Sequence, residues 1–214
     1  MNRLLGLLLA AGLVFMGTPA SAASMPHGLI ALTSLVCTCG TPMGIRSSVG
    51  TILVESGGHP WAIGDNDGKR SYYFATMVEA VQAAEGLMNA GHTNLDIGLS
   101  QVNTQNFAAY GLTVETAFVP CNNVNTGMSI LWKSFTASRA RYGSDAAALA
   151  ASFTAYNSGH FAVGSTYSHN VWDMASALPP TLTEADCKHG VQVAHISKAS
   201  SHVIASVRRR GVPQ

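Results

Sequence analysis

Apolar residues recur at helical spacing in several segments of this chain, and a glycine follows most of these segments. The stripes run over residues 45–56, 77–88, 124–142 and 149–156. Glycine commonly ends a helix because it readily adopts a left-handed backbone conformation. The glycines that follow the four stripes are Gly57, Gly91, Gly143 and Gly159. The pattern predicts a mainly α domain built from amphipathic helices.

Polar residues that cap helices predict where these helices begin. Thr41 precedes a first-turn proline, and Thr76 with Glu79 forms a capping box. The predicted caps, in chain order, are Thr41, Thr76, Asn122 or Asn123, and Asp145. Two short helices are expected near residues 104–110 and 169–177, with a further turn from Thr113. Residues 61–73 are rich in Gly, Asp, Asn and aromatics and predict a small β-hairpin, whereas residues 91–101 are expected to form a loop.

The N-terminal residues 1–23 have the pattern of a secretory signal peptide. Arg3 precedes an apolar run, which ends at the small residues of Thr18-Pro19-Ala20-Ser21-Ala22-Ala23. The apolar run is short for a membrane span, so cleavage is expected, and an uncleaved anchor is the alternative. We therefore expect a periplasmic or secreted protein with a domain over residues 24–177 and no further transmembrane segment.

Charge is balanced overall but uneven along the chain. Without Arg3, the chain has 11 basic and 11 acidic side chains, and this balance does not predict nucleic-acid binding. Residues 178–214 end in Arg208-Arg209-Arg210 and contain few large apolar side chains. They are expected to form a flexible basic tail, either solvated or in contact with anionic lipid, wall phosphate or a protein partner.

All four cysteines, Cys37, Cys39, Cys121 and Cys187, lie after the signal peptide, where an oxidising compartment favours disulfides. Cys37 and Cys39 are too close in sequence to pair without strain, so distant partners are expected. The cysteine spacing is not typical of a zinc site, and the eight histidines show no ligand spacing. No metal and no cofactor are predicted.

Glu55 is the carboxylate whose sequence context best suits catalysis. It follows Ile52-Leu53-Val54 and lies in the last turn of the first predicted helix. Burial and the unpaired carbonyls of a helix end both disfavour the carboxylate and would raise its pKa. A carboxyl that stays protonated near neutral pH can act as a glycosidic general acid. The alternative is an exposed helix-end residue without a catalytic role.

Three short motifs follow one another in the chain: Glu55-Ser56-Gly57-Gly58, Gly98-Leu99-Ser100-Gln101-Val102-Asn103 and Ala155-Tyr156-Asn157-Ser158-Gly159. As an ordered set they resemble the lysozyme-like soluble lytic transglycosylases. The resemblance extends to one branch of that family, found in type IV secretion and conjugation systems, through the segment Phe118-Val119-Pro120-Cys121-Asn122. The resemblance covers about residues 30–175. It implies a mainly α, lysozyme-like fold with a small β-hairpin region.

The resemblance also implies an activity and a substrate. The enzyme would cleave the β-1,4 bond between N-acetylmuramic acid and N-acetylglucosamine in peptidoglycan and leave 1,6-anhydro ends. Glu55 would act first as the acid and then as the base. Because the attacking hydroxyl belongs to the sugar, no second catalytic carboxylate is needed. Glycan strands are then the substrate, and secretion or conjugation subunits are candidate partners. A non-catalytic wall-binding protein is the alternative from another class.

Matching motif positions assigns roles to further residues. The resemblance implies that Tyr156 approaches and orients Glu55, and that Gln101 and Asn157 line the sugar cleft. Ser56 would position the substrate or the Glu55 loop. Ser100 stands where the family commonly has methionine, so only a hydrogen-bonding contact is expected there.

Asp96 bears on the product. We expect it to be a loop aspartate that accepts hydrogen bonds from nearby backbone amides. Inside the cleft it would instead hold a water and favour hydrolysis, as in goose-type lysozyme.

A disulfide pairing is also implied by the resemblance. Cys121 would bond to Cys37 or Cys39, and Cys187 would take the remaining cysteine or stay free.

Overall fold

The computed structural model describes residues 27–178 together with residues 182 and 187. The predicted signal peptide, residues 1–23, lies outside the described residues, as does most of the predicted tail. Within the described part of the chain, no helix combines the length and apolar character needed to cross a membrane.

The helices are joined by a small sheet in the first half of the chain, which confirms the mainly α fold class. The sheet is antiparallel, with strand order β2-β1-β3-β4. In chain order the elements are α1 His27–Cys39, α2 Ile45–Ser56, β1 Ala62–Asp65, β2 Arg70–Tyr73, α3 Met77–Asn89, β3 Leu95–Ile97, β4 Val102–Asn103, a 3-10 turn Thr104–Asn106, α4 Phe107–Tyr110, α5 Val114–Phe118, α6 Pro120–Arg139, α7 Asp145–Ser158 and α8 Thr166–Ala177.

The predicted hairpin is strands β1 and β2, but the sheet continues into the segment predicted as a loop. Strand β3 pairs with β1, and β4 pairs with β3. Leu95 and Ile97 point into the core, whereas Asp96 between them is only half-buried. A three-residue strand is too short to show clear alternation in sequence, which is why residues 91–101 resemble a loop.

Helix α2 ends as predicted but begins later. Gly57 adopts a left-handed conformation (φ 67°) and closes the helix just after Glu55. Thr41 does not cap it, because its hydroxyl donates to the Met43 carbonyl oxygen at 2.7 Å. The helix therefore starts at Ile45, and α1 precedes it as a separate helix that the spacing of apolar residues does not predict.

The other predicted caps have mixed outcomes. The Thr76 capping box is present at the start of α3. Ser144 rather than Asp145 caps α7, and the predicted cap at Asn122 or Asn123 is wrong because α6 already begins at Pro120. Asn123 is instead buried, and its side chain bonds to other segments.

Two apolar clusters support the two sides of the molecule. One packs α1, α2, α6, α7 and α8 together, and the other packs the sheet against α3 and the short helices α4 and α5. Leu178 and Leu182 are buried in the first cluster, with 1% and 5% of their surface exposed. These two leucines of the predicted tail thus pack with the core, and the predicted domain boundary at residue 177 stays a prediction.

Two disulfides connect α1 to remote parts of the chain. Cys39 bonds to Cys121 at the start of α6, and Cys37 bonds to Cys187. Of the two partners implied for Cys121, the structure selects Cys39. Cys187 is bonded, and it attaches a residue of the predicted tail to the helical core.

Candidate active site

A cleft of about 600 Å³ lies between the helical side of the molecule and the sheet. Its walls are dominated by side-chain amides, and Glu55 and Asp96 are the carboxyl groups among the lining residues. No lysine or arginine occurs among them. The lining residues are Glu55, Asn66, Asn94, Asp96, Gln101, Val102, Asn103, Gln105, Asn106, Ile130, Ala155, Tyr156, Asn157, Ser158 and Gly159.

Glu55 reaches the cleft from the last turn of α2. Its carboxyl oxygen Oε1 accepts a hydrogen bond from the Tyr167 hydroxyl. Burial among the surrounding atoms raises the pKa of Glu55 to about 8. The Tyr167 bond opposes this rise, and the charge of Asp96 adds to it. Glu55 is therefore mostly protonated at neutral pH, as a general acid must be.

Two tyrosines flank this carboxyl, and they have different partners. Tyr167 on α8 makes the direct bond to Glu55, although no motif in the sequence marks it. Tyr156 on α7 donates to the Ser100 carbonyl oxygen at 2.6 Å and lies within electrostatic reach of Glu55. Its implied role in orienting Glu55 stays a prediction. Burial raises the pKa of both hydroxyls well above the ordinary value, so both remain donors at neutral pH.

Ser56, expected to position the substrate or the Glu55 loop, and Ser100, expected to make a hydrogen-bonding contact, are both buried behind the cleft wall. Their exposed fractions are 1% and 0%. The Ser56 hydroxyl donates to the Leu99 carbonyl oxygen at 2.7 Å and so joins the end of α2 to the Ser100 loop. Ser100 packs on Gly127 of α6, where an added Cβ would lie 2.4 Å from the Ser100 Cβ. Both serines shape the wall, and neither lines the cleft.

Gln101 lies in the cleft, and its conformation depends on the wall behind it. Its backbone is left-handed (φ 47°), which is uncommon for a residue other than glycine. The side-chain amide donates to the Gly98 carbonyl oxygen at 2.8 Å. The preceding amide, Ser100 N, donates to Asn123 Oδ1 at 2.7 Å. Asn123 therefore anchors the loop that presents Gln101. Across the cleft, Asn157 is an exposed lining residue at the end of α7.

Asp96 also lines the cleft, contrary to the expectation that it serves its own loop. Asn66 Nδ2 donates to its Oδ2 at 2.7 Å, and Asn103 Nδ2 donates to its Oδ1 at 2.8 Å. Its partners are thus side-chain amides from other segments, rather than neighbouring backbone amides. Burial raises the pKa of Asp96, whereas the two amide bonds lower it. Asn103 lies in the second motif but was given no role from the sequence, and Asn66 belongs to none of the three motifs.

No group of three or more His, Cys, Asp or Glu side chains suited to a metal ion occurs among the residues that the structure describes. The polar side chains that line the cleft carry carboxyl, hydroxyl and amide groups.

Comparison with known proteins identifies the family. Residues 49–176 match the family described as "Transglycosylase SLT domain". The chain therefore belongs to the transglycosylase SLT domain family, which confirms the predicted resemblance.

Several curated relatives of this chain are named virB1. The type IV secretion system protein virB1 of Brucella suis is 32% identical over 127 residues, which are 59% of this chain and 53% of the relative. Protein virB1 of Rhizobium radiobacter is 29% identical over 171 residues, covering 79% and 68% of the two chains. Protein virB1 of Agrobacterium fabrum is 30% identical over 132 residues, covering 61% and 53%. This chain spans about half the length of the first of these relatives. No solved structure matches it significantly.

Proposed function

We propose that this protein is a peptidoglycan lytic transglycosylase. It cleaves the β-1,4 bond between N-acetylmuramic acid and N-acetylglucosamine and leaves 1,6-anhydro-N-acetylmuramic acid ends. The observation that carries the proposal is Glu55, a carboxyl with a pKa of about 8 in the cleft of a transglycosylase SLT domain. Such a group holds a proton at neutral pH, where most carboxyls have lost theirs.

The cleft composition supports an uncharged, N-acetylated sugar as the substrate. Seven of the lining residues carry side-chain amides, each of which offers both hydrogen-bond donors and an acceptor. Sugar hydroxyls and acetamido groups need partners of both kinds. With two carboxyls and no basic side chain among its lining residues, the cleft does not favour a substrate that binds through a phosphate.

The proposed reaction has two proton transfers, and Glu55 makes both. Protonated Glu55 first gives its proton to the glycosidic oxygen as the bond from that oxygen to the muramoyl C1 breaks. The Glu55 carboxylate then removes the proton from the C6 hydroxyl of the same muramoyl residue, and that oxygen bonds to C1. No water is consumed, and Glu55 ends protonated for the next turnover. The intramolecular hydroxyl has a high effective concentration, so one enzymic carboxyl is sufficient.

The Tyr167 hydroxyl has a role in the proposed reaction through its hydrogen bond to Glu55. Its bond to Oε1 stabilises the carboxylate that exists between the two proton transfers and holds the group in one orientation. Without this bond, the buried anion would lose a hydrogen-bond donor that offsets the cost of its burial.

A hydrolase acting on the same bond is the second candidate, because Asp96 lies in the cleft with Glu55. An inverting glycosidase uses a second carboxylate to activate water. Each Asp96 oxygen accepts one amide bond and keeps capacity for another donor, such as a water. We favour the transglycosylase because of the family match, and the product decides between the two.

The biological setting is inferred from the relatives and from the N-terminal pattern. Relatives named "type IV secretion system protein virB1" support a role in opening the wall locally for a secretion or conjugation apparatus. The signal-peptide pattern of residues 1–23 supports export to the periplasm. We infer further that residues beyond Cys187, which include Arg208-Arg209-Arg210, contact an anionic surface or a subunit of that apparatus.

Digestion of purified sacculi, followed by mass analysis of the released fragments, tests the proposal. Anhydro-muramoyl ends, which are lighter than reducing ends by one water, are the expected product. Reducing ends would establish the hydrolase instead. Binding to sacculi without any release would show a non-catalytic wall-binding protein.

Replacing Tyr167 with Phe should change the pH dependence of the reaction. Activity requires protonated Glu55, so in the wild type the rate should fall as pH rises through about 8. The Tyr167 bond lowers the pKa of Glu55, so its loss should move this alkaline limb to higher pH and lower turnover about tenfold. The measurement is the rate of fragment release across pH 5 to 10. Tyr156→Phe is the comparison variant, because its hydroxyl bonds to Ser100, and its limb should stay in place. A limb shifted by Tyr156→Phe but not by Tyr167→Phe would refute the assigned contact.

A further inference from the structure

Two loops meet beside Asp96 at the edge of the cleft. One is the β1–β2 turn, residues 66–69, and the other is the α3–β3 loop, residues 90–94. The amide of Asn66 donates to the Asn94 carbonyl oxygen at 3.1 Å. The amide of Asn94 in turn donates to Asp67 Oδ2 at 2.9 Å. The backbones of these two asparagines are therefore held together.

The side chains of the same two asparagines are connected to Asp96 by hydrogen bonds, directly from Asn66 and through Asn103 from Asn94. Asn66 Nδ2 donates to Asp96 Oδ2. Asn94 Oδ1 accepts from Asn103 Nδ2 at 2.7 Å, and that same Asn103 group donates to Asp96 Oδ1. Asn66 Nδ2 also lies 3.4 Å from Asn94 Oδ1. Asn94 thus orients the amide groups that hold the two oxygens of Asp96.

Behind these loops lies a hydrogen bond between Asp65 and His92, which takes no part in the proposed reaction. The Asp65 side chain is fully buried, with 0% of its surface exposed, and its Oδ2 lies 2.8 Å from His92 Nδ1. Its other oxygen accepts from the Gly68 amide at 2.8 Å. The Gly68 amide and His92 hold the pKa of Asp65 below its ordinary value. Since the carboxylate can only accept, His92 Nδ1 must carry a proton whether the ring is neutral or charged.

We propose that His92 and Asp65 form a positioning pair, which clamps the two loops so that Asn66 and Asn94 aim the Asp96 carboxylate into the cleft. Neither residue lines the cleft. Asp65 is the last residue of β1 and binds the Gly68 amide of the β1–β2 turn, whereas His92 lies in the α3–β3 loop, so their contact joins the two loops. The inference rests on the proposed function, because Asp96 matters only if the cleft cuts glycan. It assigns a role to a histidine that the sequence does not distinguish from the other seven.

Two substitutions at His92 separate positioning from general stability. His92→Leu removes the donor, whereas His92→Asn keeps an amide nitrogen near the position of Nδ1. On sacculi, His92→Leu should lower kcat about tenfold with KM nearly unchanged. The substrate still binds, but a misaligned Asp96 no longer helps to keep Glu55 protonated through its charge. His92→Asn should restore most of this loss. The control is Asp145→Asn. Asp145 begins α7, at the end of the helix away from the cleft, and its Oδ1 forms an exposed salt bridge with Arg139 Nε at 2.9 Å. Removing this charge should leave kcat unchanged.

A second readout does not depend on activity. In ¹⁵N-labelled protein, the side-chain amide signals of Asn66 and Asn103 report the bonds to Asp96. They should shift in His92→Leu and return towards the wild-type positions in His92→Asn. Wild-type signals and wild-type kcat in His92→Leu would overturn the positioning role. Equal losses in the Leu and Asn variants would also overturn it, since the retained donor would then be irrelevant.

Failure of the proposed function can be distinguished from failure of the positioning role. If wild-type protein releases no fragments, the proposed function fails, and the amide signals still decide whether His92 holds the asparagines. If His92→Leu does not fold, Asp67→Ala replaces it, because Asp67 is exposed and its side chain also connects the two loops. A folded Asp67→Ala should shift the same amide signals and lower kcat about threefold. Unchanged signals and kcat in that variant would overturn the clamp.

Discussion

Glu55→Gln should lower the release of fragments from sacculi at least about 1,000-fold, because glutamine can neither give nor accept the proton that both steps require. The amide is nearly the same size as the carboxylic acid, so the cleft should keep its shape and still bind glycan strands. Turnover is measured by mass analysis of released fragments, and binding by sedimentation with sacculi. The expected result is loss of turnover with binding retained.

The matched control for this variant is Glu85→Gln. Glu85 lies on the exposed face of α3 and makes none of the contacts described for the cleft. The same chemical change there should leave turnover at the wild-type value. A Glu55→Gln protein that still cuts at a rate close to wild type would disprove the proposed mechanism, whatever the product.

Glu55→Gln should also change how the free energy of unfolding depends on pH. Glu55 has a pKa of about 8 in the folded protein and an ordinary value of 4.5, so the folded state binds this proton more tightly. The contribution of the proton to stability is complete below pH 4.5 and is lost as pH rises through about 8. The glutamine side chain of the variant does not titrate and has no such dependence. Relative to wild type, Glu55→Gln should gain on the order of 1–3 kcal/mol of unfolding free energy between acidic and alkaline pH. Denaturant titrations at both pH values measure this difference.

Asn123→Ala should destabilise the fold by about 3 kcal/mol, because it leaves several buried polar groups without partners. The Asn123 side chain accepts from Ser100 N at 2.7 Å. It donates to the carbonyl oxygens of Ile97 and Ala117, at 2.7 and 2.9 Å. These bonds join the start of α6 to the end of β3 and to the Ser100 loop. The free energy of unfolding from denaturant titration gives the magnitude.

Asn122→Ala is the control, since the two asparagines are neighbours with different surroundings. Asn122 is exposed, and its side chain donates to the Thr116 carbonyl oxygen at 3.2 Å. Its replacement should cost less than about 1 kcal/mol. Because Asn123 anchors the loop that carries Gln101, Asn123→Ala should also reduce activity, whereas Asn122→Ala should not. Equal destabilisation by both variants would contradict the anchoring role of Asn123.

The helical framework was largely predictable because its signals are local. The Thr76 capping box and the left-handed Gly57 act through residues within one helical turn, and both are present where predicted. Errors occurred where two local signals competed. Asn123 has the chemistry of a helix cap, yet Pro120 already begins α6, and the asparagine is used for tertiary contacts instead.

The cleft was only partly predictable. Glu55 and Gln101 lie in it as the motifs imply, but Tyr167 reaches Glu55 from 112 residues away and belongs to no motif. Ser56 and Ser100 belong to the motifs yet are buried. A motif records that residues occur together in a family, and it does not say which of them face the substrate and which hold the wall.

By itself, the sequence determined the helical fold class, the family and the position of Glu55 at a helix end, because periodicity, capping and motif order are all properties of neighbouring residues. The tertiary structure alone decided the partner of Glu55, the pairing of Cys39 with Cys121 and the placement of Asp96 in the cleft. Each of these depends on how remote segments pack. Local patterns do not specify such contacts, since they are set by the joint burial of surfaces far apart in the chain.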